Sequence, residues 1–401
     1  MKVILVGPLP PPYSGPEMVT QTLLETAKPL GQYIHVNISS PSNATKGHWS
    51  IAALWRVLRQ TSLFAWVLWT HRKQSHIVHL PLSQSTTGTL RDVLFIRLAK
   101  GFGYLVVGQF HGGDFLRFYW ASRFQKLIAR ALAQLDCLLV FDSSLFKQFP
   151  FVKREILQVL VNPVPMKWVK HWSSLRTVPR PSSRTLVILF MSHLSVAKGL
   201  VDLIEALSRL PSKEQWELNL AGEILDEERN VLWTGRDMNK GWDKAQAIIH
   251  RHHLAERIHY HGVVTGEDKV RLFQHSHVLV LPSYSEGLPI VILEAMYAGL
   301  AVIASDVGAI SSVVPRSFLH KPGDVNKLAD LLREMTVEKA QNIGQNNRQI
   351  VEQGYLPEQV MSQLQRIYHN VYPPRNYRSP KGLRVVRSHR MAPGKPFPRR
   401  S

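Results

Sequence analysis

Residues 278–308, VLVLPSYSEGLPIVILEAMYAGLAVIASDVG, decide both the fold and the candidate chemistry. Val278-Leu279-Val280-Leu281 is a short apolar run ended by Pro282, the pattern of a strand buried in a parallel sheet. A loop follows, then an almost wholly apolar helix closed by Gly299, then a second strand pattern at Ala301-Val302-Ile303-Ala304. Pro289 suits the first turn of that helix, where a missing N–H costs nothing. Gly287 allows a tight turn and close backbone approach to a ligand. The N–H groups around Gly287, Leu288 and Ile290 then point out of a positive helix end, which attracts phosphate. Two acids flank this mouth, Glu286 in the loop and Glu294 inside the helix. A carboxylate in an apolar helix is costly unless something pairs with it. A polar ligand docked at the mouth is one such partner. Glu294 lies five residues beyond Pro289, about 7.5 Å along the axis, so a phosphate at the mouth and a sugar-sized group at Glu294 could belong to one molecule. The plainer reading, a solvated Glu286 and a capped core Glu294, stands beside it.

Working outward, strand-like runs alternate with helix-like stretches, as in α/β proteins with parallel sheets. The first series is Val3–Val6, His76–Leu80, Leu105–Gly108, Cys137–Val140 and Ile156–Leu160. A stretch rich in Pro, Ser and Arg between Pro163 and Arg184 reads as a linker. The second series is Leu186–Phe190, Glu217–Leu220, Arg257–Tyr260, Val278–Leu281 and Ala301–Ala304. Two such series predict two doubly wound domains facing across a cleft. Ligands of open α/β sheets sit outside the carboxyl ends of the strands, and each motif named below falls directly after a strand.

The spacing of Glu286 and Glu294, E-x7-E within SEGLPIVILEAMYAGLAVIASDVG, resembles the signature of retaining glycosyltransferases of family 4, which have the GT-B fold. Further pieces match in order over roughly residues 1 to 372: MKVILVGPLPPPYSGPEMV, VVGQFHGGDF, VNPV, LFMSHLSVAKGLVDLIEAL, LNLAGE, RIHYHGVV and KPGDVNKLADLL. The resemblance implies an acceptor-side Rossmann-like domain over 1–163, a linker over 164–184 and a nucleotide-sugar-binding domain over 185–357. It also implies a helix over 358–372 crossing back to the first domain. Residues 373–401 read as a disordered basic tail.

Several site residues follow. Three prolines stiffen the loop after the first strand, and Gly15 permits a tight turn before a helix; in the resembling family this loop reaches the donor sugar and its phosphates. His111, beside Gly112 and Gly113 at a strand end, is placed to exchange hydrogen bonds with a ligand, and the resemblance brings it to the transferred sugar. Asp114 is a candidate helix cap. Lys198 is a compact cation suited to a diphosphate. Five residues before it the family usually has arginine, and here stands His193. By resemblance, Gly222, Val263 and Val264 edge the nucleotide pocket, Glu294 holds ribose hydroxyls and Glu286 contacts the sugar. Family members often carry Pro-Glu near Ser311-Ser312, another departure. No D-x-D pair or His-rich cluster suggests a metal site, and no cofactor is expected beyond a nucleotide-diphosphate sugar as donor. The expected reaction is retaining transfer to a hydroxyl acceptor, with a lipid-linked precursor of cell-surface polysaccharide as the expected acceptor. A GT-B hydrolase or epimerase is the alternative, and a basic nucleic-acid-binding protein a more distant one.

The formal net charge of +20 supports that last class only in part. Nine Lys or Arg and no acid lie in residues 372–401, which leaves about +11 (20 minus 9) on the body. Charge alone attracts nucleic acid, anionic membrane and anionic small molecules without distinction, and no aromatic-basic RNA module is recognisable. One cysteine, Cys137, excludes a disulfide framework and fits a reducing compartment. Met1-Lys2 runs straight into a strand pattern with no signal-peptide character, so a cytoplasmic location is expected, at the inner face of the membrane if the chain binds lipid. The run Leu63–Trp69 is too short to span a bilayer. Its basic flanks allow two readings, a helix lying on an anionic membrane or an ordinary buried helix.

Overall fold

The computed structural model describes residues 2–27, 33–39, 51–174, 184–211, 214–225 and 240–373. The expected basic tail therefore lies outside the described residues, apart from Pro373. Twelve strands among the described residues sort into two six-stranded sheets, parallel throughout.

The first unit runs β1 (Lys2–Gly7), α1 (Gly15–Ala27), β2 (Tyr33–Asn37), α2 (Ile51–His71), β3 (Ser75–Leu82) and α3 (Thr86–Gly101). It continues with β4 (Leu105–Phe110), α4 (Phe115–Ala121), α5 (Gln125–Leu132), β5 (Cys137–Val140) and β6 (Leu157–Val159). Its strand order is β2-β1-β3-β4-β5-β6. Within the span 164–184 expected to link the domains, Met166–Ser174 form a helix, α6. Trp168 and Trp172, one turn apart, are its buried anchors, and residues 175–183 lie outside the description.

The second unit runs β7 (Leu186–Met191), α7 (Leu200–Ser208), β8 (Trp216–Ala221), α8 (Gly241–Arg251), β9 (Ile258–Tyr260), α9 (Gly266–His275) and β10 (Val278–Leu281). After these come α10 (Ile290–Tyr297), β11 (Ala301–Ser305), β12 (Leu319–His320), α11 (Val325–Arg333), α12 (Val337–Gly354) and α13 (Pro357–Val371). The order β12-β11-β10-β7-β8-β9 reverses between β7 and β10. That reversal is the topological switch point, where doubly wound sheets bind ligands. β10 and β11 are buried at every position, as their unbroken apolar runs require.

α13 returns to the first unit. Val360, Met361, Leu364, Ile367 and Tyr368 repeat at helical spacing and pack on Val3, Leu5, Ile77, Val107 and Leu139 of the first sheet. Each such side chain contributes roughly 1.5–3 kcal/mol, an upper estimate for full burial. His79 on β3 and Tyr368 share a buried hydrogen bond of 2.6 Å. Cys137 lies in the same cluster, and burial, reinforced by nearby Asp136, pushes its thiol up to about 12, which makes it an inert core residue.

Two stretches of chain join the units, at the exit from β6 and at the entry to α13. They run side by side, with the Val164 N–H donating to the Tyr355 carbonyl at 2.9 Å.

Candidate functional site

The loops after β7 and β10 carry Lys198 and Glu286, and the strand order makes these loops neighbours. The Tyr284 N–H donates to the Ala197 carbonyl at 2.9 Å, locking one loop to the other. Lys198 Nζ then lies 2.7 Å from Glu286 Oε1, with both side chains part-exposed. Gly199 makes the approach feasible. It adopts φ +75°, and a Cβ there would stand 2.1 Å from the Pro282 carbonyl oxygen, so a side chain would meet both strain and overlap.

Leu288 is buried and Pro289 occupies the N-cap position of α10, one residue outside the helix and not in its first turn. The Asn162 side-chain amide, itself buried, donates to the Leu288 carbonyl at 2.8 Å and fixes the mouth of α10 to the end of the first unit. Glu294 is buried, as its apolar neighbours predict. Its partner comes from within the chain. Lys269 on α9 reaches both carboxylate oxygens, at 2.6 and 2.7 Å. The same ammonium lies 5.1 Å from the Trp168 ring and 5.9 Å from that of Phe273, so α6, α9 and α10 close around one ion pair.

From the opposite unit, His111, Gly112 and Gly113 follow β4 and meet this loop directly. A Cβ on Gly113 would fall 1.7 Å from the Glu286 carbonyl oxygen and 3.1 Å from the Gly308 Cα. Only hydrogen at position 113 lets the two backbones touch. His111 is half-buried, with the Phe141 ring 5.9 Å away at a steep angle. Burial lowers its imidazole to about 4. At neutral pH it is therefore an uncharged donor and acceptor, suited to a sugar hydroxyl and not to clamping phosphate. Asp114 stands at the N-cap of α4 without a side-chain capping bond.

The remaining candidates form the periphery. Gly15 opens α1 and is exposed, and Ser14 there hydrogen-bonds Glu17. Gly222 follows β8, its N–H donating to the Gly262 carbonyl at 2.8 Å, which ties it to the turn that carries exposed Val263. His193 is exposed after β7. The structure thus brings Lys198, Glu286, Gly287 and the His111–Gly113 loop together, sets Glu294 behind them and leaves Gly15, Gly222 and Val263 at the rim. Among the described residues no group of three His, Cys, Asp or Glu is arranged to hold a metal ion.

Sequence reasoning missed Asn162 and Lys269. Asn162 stood inside a matching piece, VNPV, with no role attached. For Lys269 the signal was the unpaired acid itself, which demanded a cation, but the demand carries no address in the chain.

Comparison with known proteins adds to this geometry. Residues 175–350 match the family described as glycosyl transferases group 1. Sulfoquinovosyl transferase SQD2 of Arabidopsis thaliana is 36% identical over 18% of this chain and 16% of its own length. The N,N'-diacetylbacillosaminyl-diphospho-undecaprenol alpha-1,3-N-acetylgalactosaminyltransferase of Campylobacter jejuni is 30% identical over 42% of this chain and 46% of its own. The chain thus spans less than half the length of either relative. Among solved structures, Anabaena HepE in complex with UDP superposes with a TM-score of 0.67 at 18% identity, covering 92% of this chain and 99% of that one. That likeness bears on the fold alone. The stretch similar to the glycosyl transferases group 1 takes in less than half of the chain, and the two facing parallel-sheet units are a GT-B fold.

Proposed function

We propose that the protein is a retaining glycosyltransferase that moves a sugar from a nucleotide-diphosphate donor to a hydroxyl acceptor, without a metal or other cofactor. The observation that carries this reading is the Lys198–Glu286 pair at the switch point of the second sheet, in a loop that the His111–Gly113 loop of the first unit touches directly. A donor diphosphate beside Lys198 and the N–H groups at the mouth of α10 would have its growing charge stabilised as it departs. Glu286, released from Lys198 by the phosphates, would turn to the sugar hydroxyls. Neutral His111 would hydrogen-bond the sugar from the other side.

Glu294 would hold the ribose. Lys269 takes one direction on each of its oxygens, and a carboxylate offers about four lone-pair sites, so the ion pair leaves acceptor capacity for ribose hydroxyls. In the reaction the bond from the anomeric carbon to phosphate oxygen breaks, the acceptor oxygen forms the new bond on the same face, and its proton passes to the leaving phosphate. Closure of the units excludes water as a competing acceptor.

The Campylobacter relative is named for a diphospho-undecaprenol substrate, which supports a lipid-linked glycan as acceptor; with such an acceptor the protein would work at the inner face of the cell membrane. The test is a melting-temperature screen against UDP-, GDP- and ADP-sugars, followed by product analysis with and without acceptor. Ligands that bind the folded state raise the melting point. A panel with no stabilising donor, or undiminished transfer in folded Lys198→Met, overturns the reading. Free sugar formed regardless of acceptor points to a hydrolase.

A further inference from the structure

The helix α2 is apolar on two sides, and the structure separates them. Phe64 and Leu68 are fully buried and Val67 nearly so, packed in the core of the first unit. The buried Gln60 amide donates to the Ile38 carbonyl at 3.1 Å, anchoring the same side. The opposite side faces outward with Trp55 66% exposed, Leu58 57%, Trp66 59% and Trp69 55%, joined by Leu63 at 42%. Their spacing of three, eight and three residues keeps them on one stripe of the helix. Leu94 and Phe102, also exposed, come from α3 and the turn after it. The Tyr104 hydroxyl donates to the Leu68 carbonyl at 2.7 Å, which holds that turn beside the last turns of α2.

Charge accompanies the aromatic stripe. Arg59, Arg72 and Lys73 are exposed on or just after α2. The Arg72 guanidinium sits 5.0 Å from the Trp69 ring centre and donates to the Trp69 carbonyl at 2.7 Å. Residues 26–91 contain seven Lys or Arg and not one Asp or Glu. No helix among the described residues is long and apolar enough to cross a membrane.

We propose that this outer face of α2 docks the first unit on an anionic lipid bilayer, with the helix lying in the plane of the interface. Indole rings favour headgroup depth, where the ring meets acyl chains and the N–H meets water or lipid oxygens. Arg and Lys at the edge reach the lipid phosphates. Acid-free sequence around the stripe removes the repulsion that an anionic surface would impose. This docking does not depend on the glycosyl-transfer reading. Where both hold, it brings the cleft to a lipid-borne hydroxyl.

The test is flotation of the full chain with vesicles of phosphatidylcholine alone and of phosphatidylcholine mixed with phosphatidylglycerol. The wild type floats with the mixed vesicles and not with the neutral ones. Trp66→Ser/Trp69→Ser leaves every charge in place, including the nine cations of residues 372–401, and lowers partitioning about tenfold or more. Bromine-labelled acyl chains quench wild-type tryptophan fluorescence, a readout that needs no variant. Absent flotation of the wild type, equal flotation of the double variant or unquenched fluorescence overturns the proposal. So does a concentration-dependent dimer that the variant abolishes without any lipid binding, which would assign the face to a second copy. A donor melting screen on the same samples keeps failure of docking separate from failure of the proposed catalysis.

Discussion

Two lysine–glutamate pairs stand within one loop and one helix of each other, and they solve different problems. Lys198–Glu286 lies between two loops, 2.7 Å apart, with both side chains part-exposed. Its partners keep access to water and can exchange each other for ligand at a lower cost than a fully buried pair. Lys269–Glu294 joins two helices, with the carboxylate side chain only 4% exposed and aromatic rings around the ammonium. Here separation strands a charge in the interior, which costs far more than the pair itself contributes. The loop pair is suited to chemistry, while the helix pair holds the chemistry's floor in place.

Four experiments break or sharpen that contrast. Among single substitutions the largest effect on stability is expected for Lys269→Met, which leaves Glu294 buried without a cation and destabilises by about 3 kcal/mol. Differential scanning calorimetry should show a melting point lower by roughly 6–12 °C. Lys269→Met/Glu294→Leu should recover most of the loss, and a single variant that melts like the wild type removes the distinction between the pairs.

Next comes Gly113→Val, which forces a side chain against the Glu286 carbonyl. Overpacking at such a backbone contact costs about 2 kcal/mol, and the same variant should lose donor transfer because the units no longer close.

A third experiment concerns buried groups that avoid the problem by shedding charge. Burial lowers His79, further opposed by His111, to about 3, and burial lowers His111 to about 4. The unfolded chain titrates them near 6.5, so between these values it binds more protons than the folded one. Stability is then complete above about pH 6.5 and falls as pH drops, until about 4 for His111 and about 3 for His79, by up to ~1.4 kcal/mol per pH unit for each residue. Urea unfolding at a series of pH values should show this slope, flattened by one proton in His111→Asn.

The smallest effect on stability belongs to Lys198→Met, within about 1 kcal/mol by the same urea assay, although its transfer rate should collapse.

Legibility in the sequence followed burial. β10 was readable to its ends, and β11 to within one residue, because strands covered on both faces are apolar throughout. β2, YIHVN at the sheet edge, is half-buried at three of five positions and carries no such run, so it went unseen. β12 spans only two residues at an edge of the second sheet. Helix α6 hid between Pro163 and a stretch of Pro, Ser and Arg, although Trp168 and Trp172 carried its spacing. The site divided the same way. Lys198 and Glu286 were named from motifs on neighbouring strand ends, and the switch point explains their meeting. Lys269 and Asn162 act through contacts 25 and 126 residues away in sequence. Local pattern has no reach over such separations. The two sides of α2 were likewise one apolar run in sequence, and only the fold assigned Phe64 and Leu68 inward and Trp66 and Trp69 outward.

The helix α13 has a consequence for biosynthesis. The sheet translated first is covered on one face by residues translated after the whole second unit. A ribosome adding roughly 5–20 residues per second needs about 10–40 s to pass from β7 to the end of α13. For that interval the nascent first unit shows Val3, Leu5, Ile77, Val107 and Leu139 without their final cover. Synthesis in a cell-free system arrested before α13 should yield a chain that chaperones retain and proteases cut, and a peptide of that helix supplied in trans should release it.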